Sequence, residues 1–327
     1  MPMRFKPLFG TIRKIYKGIK MFKKTIISAI IVSAFATTAY ADEAKQDAFD
    51  TFVSGDIGQT HYSPDGLPNI NSTDFSLRAS ASYTAPNNFG GQVDGVYSKR
   101  SLGRVDVSTV DLAGHLFYRN ENFLVGGFAQ YRNPDFRYKS DVSGDQFVVN
   151  FLADSLISEQ VFWGAEGQVF LGDVTVYGQA GKQTFVNQHD ISGQKILDDG
   201  YFANIKARYF INDNWKVDAG YAYTKSNLNG SFMNGNSADQ YTLSLASEYR
   251  FTDSPVSLYA LYNHNQASIS SFNVDSDQLF AGIKVNFGSN SLKSRDRSGA
   301  SLDPLSQTPT AAVLLGSAVA NGSIFVN

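Results

Sequence analysis

Residues 201 to 224, YFANIKARYFINDNWKVDAGYAYT, change character at every second step. Tyr201, Ala203, Ile205, Ala207, Tyr209 and Ile211 are apolar or aromatic, while Asn204, Lys206 and Arg208 between them are polar. After Asn212-Asp213-Asn214 the alternation resumes, with Trp215, Val217, Ala219, Tyr221 and Tyr223 set against Lys216, Asp218 and Thr224. A period of two belongs to a strand whose faces meet different surroundings. The three-residue reversal makes this stretch an antiparallel hairpin.

The same unit recurs from Asp50 to Phe287. In FSLRASASY (75–83), Phe75, Leu77, Ala79, Ala81 and Tyr83 oppose Ser76, Arg78, Ser80 and Ser82. FGGQVDGVY (89–97), VDLAGHLFY (110–118), FLVGGFAQY (123–131), FWGAEGQVFL (162–171) and VTVYGQAGKQ (174–183) follow. After the hairpin come YTLSLASEYRF (241–251), VSLYALYNH (256–264) and LFAGIKVNF (279–287). With a weaker first strand at TFVSGDIGQ (51–59), the sequence predicts twelve strands of about 9 to 11 residues, the length an outer-membrane crossing requires.

The links alternate. Tight ones are predicted at 84–88, 119–122, 172–173, 212–214 and 252–255. Longer Asn/Ser/Gly-rich ones are predicted at 60–73, 98–104, 132–160, 184–200, 225–240 and 265–278. Short turns on one side and long loops on the other suit an up-and-down barrel with both termini at the short-turn end. Hydrocarbon would explain the apolar face, and closure would explain how every backbone polar group is paired there. Tyr209, Trp215, Tyr249, Phe251 and Phe287 suit interfacial girdles. A secreted soluble β-sandwich or ligand-binding barrel also alternates, but fits a charged second face less well.

Composition narrows the function. Cysteine is absent, which excludes disulfides, thiolate metal sites and a thiol nucleophile. Residues 1 to 41 carry eight basic and no acidic residues, so the remaining 20 Lys and Arg face 30 acids. A body near −10 is a poor partner for nucleic acid, whose phosphates demand clustered cations. The basic start is read as export: Met21-Phe22-Lys23-Lys24, the apolar TIISAIIVSAF, then AYA at 39–41 form a signal peptide over residues 21–41. Residues 1–20 are read as an upstream extension, with Met21 the start. The barrel is assigned to 42–288.

On these strands, turns and export signal, the chain resembles bacterial outer-membrane porin-like β-barrels of about twelve strands. The resemblance covers residues 50 to 288 and implies an all-β transmembrane barrel in a Gram-negative outer membrane. LFAGIKVNF, closed by Phe287, looks like the terminal strand such barrels present to the assembly machinery. Outer-membrane lipid, lipopolysaccharide and that machinery are the implied partners, with small polar solutes or ions as cargo; homo-oligomerisation stays open. About forty residues follow Phe287, a departure from a family pattern in which the aromatic often ends the chain. Residues 289–327 are predicted to be a flexible periplasmic tail, with a plug as one of its alternatives.

The alternation turns a charged face inward. Asp74, Arg78, Asp94, Asp111, His115, Arg119, Arg132 and Glu166 are expected to line the pore. Gln168, Gln179, Lys206, Arg208, Lys216, Asp218, Glu248, Arg250 and Lys284, with Asn286, complete the set. Such charges set ion preference in a channel, or pair across the lumen and hold a filled barrel shut. Twelve strands lie between self-filled and wide-open barrels. Loop 132–160 is the expected constriction. No metal or cofactor site and no enzymatic activity are predicted. Of the four histidines, His264 lies nearest the outer rim, but Ser268 sits about 13 Å further along the strand, wrong for a dyad. GQAGKQT (178–184) lacks the glycine and hydroxyl positions of a phosphate loop. DVSGD (141–145) and DSD (275–277) lack the spacing of a calcium loop. The reading is a passive channel for small polar solutes or ions, with a non-conducting surface barrel and a lipid-acting enzyme as alternatives.

Overall fold

The structure is a computed structural model and describes residues 49–66, 68–102, 105–138, 159–186, 197–228, 237–269 and 272–305. Its strands are β1 (Phe49–Pro64), β2 (Ile70–Thr84), β3 (Phe89–Leu102), β4 (Val105–Arg119), β5 (Phe123–Tyr138) and β6 (Glu159–Leu171). They continue as β7 (Val174–Val186), β8 (Leu197–Asn212), β9 (Trp215–Leu228), β10 (Ser237–Arg250), β11 (Val256–Ile269) and β12 (Phe272–Phe287). Each pairs antiparallel with its chain neighbours, and β1 pairs with β12, so the sheet closes. The closing register sets Thr51 opposite Phe287 and Pro64 opposite Val274. The all-β barrel of twelve strands is as predicted.

The alternation divides inside from outside. Ile57, Leu116, Ile205, Leu245, Leu279 and Ile283 stand exposed on the outer wall, Leu116 to 76 %. A belt of such residues around a barrel is a large cost in water and a natural contact for hydrocarbon. At the short-turn end, Phe89 meets Tyr118 edge-on at 5.4 Å, and Trp215, Tyr249 and Phe251 form a second edge-on row. Trp215, Tyr249 and Phe251 are among the residues predicted for a girdle; Phe89 and Tyr118 are not among them.

The strands are longer than predicted, with 13 to 16 residues each. The extra length lies at the long-link end. Most of 60–73, 98–102 and 272–278 is therefore strand rather than loop, which corrects the predicted strict alternation of short and long links. Polar Ser, Asn and Thr residues supply strand backbone there without an apolar face, so the period-two signal fades before the strand does. Loop 132–160 likewise begins as strand, since β5 runs on to Tyr138. The constriction expected in that loop falls on 139–158, outside the described residues, as do the signal peptide and residues 1–20.

The C-terminal region departs most from expectation. Gly288, at φ +110°, turns the chain out of β12; a Cβ there would lie 2.6 Å from the Phe49 carbonyl, so the turn requires glycine. Helix α1 (Leu292–Ser298) follows, capped by the Ser291 hydroxyl, which accepts from the Ser294 N–H. Residues 299–305 then run into the lumen. The predicted flexible tail is thus a folded segment as far as residue 305, because it finds a lumen wall that bonds its backbone. Residues 306–327 lie outside the described residues.

Candidate functional site

The segment enters at the short-turn end and is fixed there first. The Lys293 N–H donates to the Asp213 carbonyl, the Lys293 ammonium sits 2.6 Å from Asp173, and Arg297 donates to the Gly172 carbonyl at 2.8 Å. Asp50 holds both sides of the turn, accepting from the Ser289 and Ala300 N–H groups at 2.9 and 2.8 Å. Arg295 reaches Glu248 at 3.0 Å, a carboxylate that also takes Lys284 at 2.8 Å. Lys216 bridges Asp218 at 2.5 Å, and Arg250 donates to the Ser289 carbonyl.

Further in, side chains of the wall replace the strand that an extended segment ordinarily pairs with. Arg119 donates to the Gly299 carbonyl and the Ser301 hydroxyl, both at 2.9 Å. Gln168 donates to the Ser301 carbonyl, and Gln179 to the Asp303 carbonyl. Arg132, held by Asp111 at 2.6 Å, donates to the Leu305 carbonyl at 2.5 Å. Unmade hydrogen bonds on a buried backbone cost roughly 1–3 kcal/mol each, so this wall is what allows the segment to be buried.

Asp303 is the electrostatic centre. Its carboxylate lies 3.1 Å from Arg78, 2.7 Å from Lys206 and 2.8 Å from Arg208. Arg78 belongs to β2 and the other two to β8, so the carboxylate ties separate parts of the wall together. Burial by itself raises this carboxyl, but Lys206, Arg208 and Arg78 outweigh it and hold it well below the usual carboxylate range. Arg208 also grips Asp296 of α1 at 2.7 Å. Beneath lies a chain of Asp94, His115, Glu166 and Tyr177: the imidazole sits 3.3 Å from Asp94 and 2.8 Å from Glu166, and Tyr177 donates to Glu166 at 2.9 Å. Asp94 steadies Arg78 at 2.8 Å. The cations also lie over rings of the wall, Arg78 over Phe52, Arg119 over Phe117, Arg132 over Phe162 and Arg208 over Tyr177.

Two apolar clusters complete the contact. Leu302 is fully buried among Phe117, Leu124, Phe170 and Tyr177. Leu305 packs with Phe128, Phe162 and Phe202. On the side away from the short turns, Asp303, Pro304 and Leu305 floor a cavity of about 350 Å³. Its wall carries Asp56, Asp74, Arg100, Asn204, Thr242, Asn263 and Gln278, with Arg100 bonded to Asp74 at 3.0 Å.

All the residues predicted to line a pore lie on the inner face. Asp74, Asp94, Asp111, His115, Arg119, Arg132, Glu166, Gln168, Gln179, Arg208, Glu248 and Arg250 are buried. Arg78, Lys206, Lys216, Asp218 and Lys284 are part-exposed. Instead of lining one open path, many of them bond the C-terminal segment. Sequence reasoning missed Gln92, Gln130, Arg100, Arg295 and Asp303. It also missed a signal: Phe117, Phe128, Phe162, Phe170, Phe202 and Phe210, with Leu124, stand in the inward register, where a purely water-filled lumen has no use for large apolar side chains. Among the described residues, no cluster of three or more His, Asp or Glu is placed to hold a metal ion. His264 faces outward and bonds Asp277 at 2.9 Å, while the Ser268 hydroxyl donates to Asn273.

No protein-family model and no curated protein matches the chain. Solved structures do. An outer-membrane channel from Pseudomonas putida F1 is similar at a TM-score of 0.51, with 15 % identity over 73 % of this chain and 95 % of that one. The chain has the fold of outer-membrane channel barrels. The translocator domain of the autotransporter NalP from Neisseria meningitidis matches at 0.43, with 10 % identity over 80 % of this chain and 97 % of that one. The NanC porin matches at 0.44, with 9 % identity over 70 % and 98 %.

Proposed function

We propose that this protein is a bacterial outer-membrane channel for small polar solutes or ions, closed in this state by its own C-terminal segment. The observation that carries the reading is the lumen itself: a wall that carries fixed charges and amides, with a cavity of about 350 Å³ of mixed polar and apolar lining resting on Asp303, Pro304 and Leu305. A barrel built only to be solid would fill that space with side chains. The exposed apolar belt supports a membrane location, and a wall of charged side chains supports passage of solutes that would otherwise have to shed their water.

Channel activity then depends on whether the segment leaves. In planar bilayers the full-length protein is expected to conduct rarely. Asp303→Lys, which places a cation among Arg78, Lys206 and Arg208, is expected to give discrete conductance steps. In a salt gradient the opened variant should favour anions, because those three cations lose their carboxylate. An opened variant that never conducts would favour the second reading, a closed surface barrel, which the dense bonding of residues 299–305 supports.

A further inference from the structure

The wall around residues 301–305 is organised as a peptide-recognition site. Gln92 donates to the Leu302 carbonyl at 2.7 Å and accepts from the Leu302 N–H at 3.1 Å. Gln130 does the same at Leu305, donating at 3.1 Å and accepting at 2.7 Å. Each glutamine closes the two-bond ring that a neighbouring strand would form with one residue, and so reads backbone rather than side chain. Side chains are read separately: Leu302 by one apolar cluster, Leu305 by a second, and the carboxylate between them by three cations. Residue 304 is a proline, which has no N–H to satisfy.

All the groups that recognise Leu302-Asp303-Pro304-Leu305 belong to strands of the barrel. The covalent connection enters separately, through Gly288, α1 and Gly299, and is anchored by its own contacts with Asp50, Glu248 and the short turns. The far side of the site opens into the cavity above Asp303, Pro304 and Leu305. Recognition therefore does not depend on the ligand being part of the same chain.

We infer that the barrel lumen is a binding site for short extended peptides in which an aspartate and a following residue separate two apolar side chains, and that the C-terminal segment occupies it as an internal competitor. Free peptide is the ligand class; the tail of a second copy is the same chemistry from another source. The inference rests on the channel reading for delivery of the peptide, not for its binding.

The test uses full-length Asp303→Lys protein and, as a second opened form, full-length protein carrying Leu302→Asn with Leu305→Asn, each shown to be folded by circular dichroism. A fluorescein-labelled Gly-Ala-Ser-Leu-Asp-Pro-Leu-Ser-Gln, the sequence of residues 299–307, is titrated and its anisotropy followed. Saturable binding to an opened form is expected, roughly tenfold weaker when the peptide's aspartate is replaced by asparagine, since ion-assisted bonds are about twice as strong as neutral ones. Adding Gln92→Ala and Gln130→Ala to the opened form should weaken it further. No saturable binding to either form, or equal binding of the Asn peptide, overturns the inference. Sedimentation of the opened form with wild-type protein separates the sources: a mixed dimer assigns the site to a second copy's tail, and its absence leaves free peptide. Bilayer current separates this inference from the channel reading. Peptide binding without current upholds the site and rejects the channel; current without binding does the reverse.

Discussion

Asp303 joins parts of the wall that the sheet alone does not join, and the consequence of removing it follows from what remains. With Asp303→Ala, Arg78, Lys206 and Arg208 face one another with one fewer carboxylate, although Asp94 and Asp296 still hold two of them. Removing one member of a buried ion cluster costs about 3–5 kcal/mol. The cost should appear as release of the segment rather than unfolding of the barrel, and trypsin cleavage at Lys293, Arg295 and Arg297 should accelerate. Leu302→Ala should act in the same direction, at roughly 2–5 kcal/mol for a large-to-small change in a packed site. If protease sensitivity is unchanged in both variants, the segment is not held by these groups. The charges that hold it were legible as inward-facing residues, because Lys206, Arg208 and Asp218 fall on the polar side of an alternating strand. Their partner was not. Asp303 stands in a polar stretch without periodicity, and such composition suits bulk water as well as a lumen lined with donors.

At the level of the strand, the alternation was readable because two solvents impose it. Arginine placed at Ile205 or Leu245, both on the exposed outer wall, should cost roughly 2–4 kcal/mol near the bilayer midplane. Arginine at Ser244, on the opposite face, should cost little. Urea unfolding in lipid vesicles measures the difference, and equal costs would undo the facing assignment. Strand ends were less legible: at the long-link end polar residues continue the hydrogen-bonded ladder, and ladder pairing has no sequence period of its own. Glycines show a further limit. Gly164 and Gly181 are register partners, and a Cβ on either would fall 2.1 Å from a neighbouring carbonyl. Nothing in FWGAEGQVFL or VTVYGQAGKQ announces that close approach. Gly164→Val should therefore lower the unfolding midpoint, whereas Gly172→Asn, at a turn of φ +60° with open space around it, should leave the midpoint nearly unchanged.

For the molecule as a whole, the closed state is set by one buried segment, and pH should act on it in a definite sense. Asp303 meets Arg78 from β2, Lys206 and Arg208 from β8, and Tyr177 and Gln179 from β7, while Asp296 shares Arg208. Its carboxyl is held well below the usual range. A depressed carboxylate contributes stability that is fully present above the ordinary value near 4 and is lost as pH falls through the folded one. Asp303 by itself therefore gives the closed state no pH dependence between about 5 and 8, and its contribution should begin to be lost only below about 4. Asp303→Asn should remove much of that acid response. Conductance followed across this range checks both statements. The chain's lack of cysteine allows the most direct test of the central claim, that residues 299–305 are buried in the lumen at the short-turn end. Ser301 is buried at 7 % exposure, so a single Ser301→Cys substitution reports the segment's position through its reaction with a membrane-impermeant maleimide. Protection of that thiol in the folded protein, and rapid labelling once Asp303→Lys is added, is the result expected. Labelling of the Ser301→Cys protein alone at the rate of a urea-unfolded control would contradict the account.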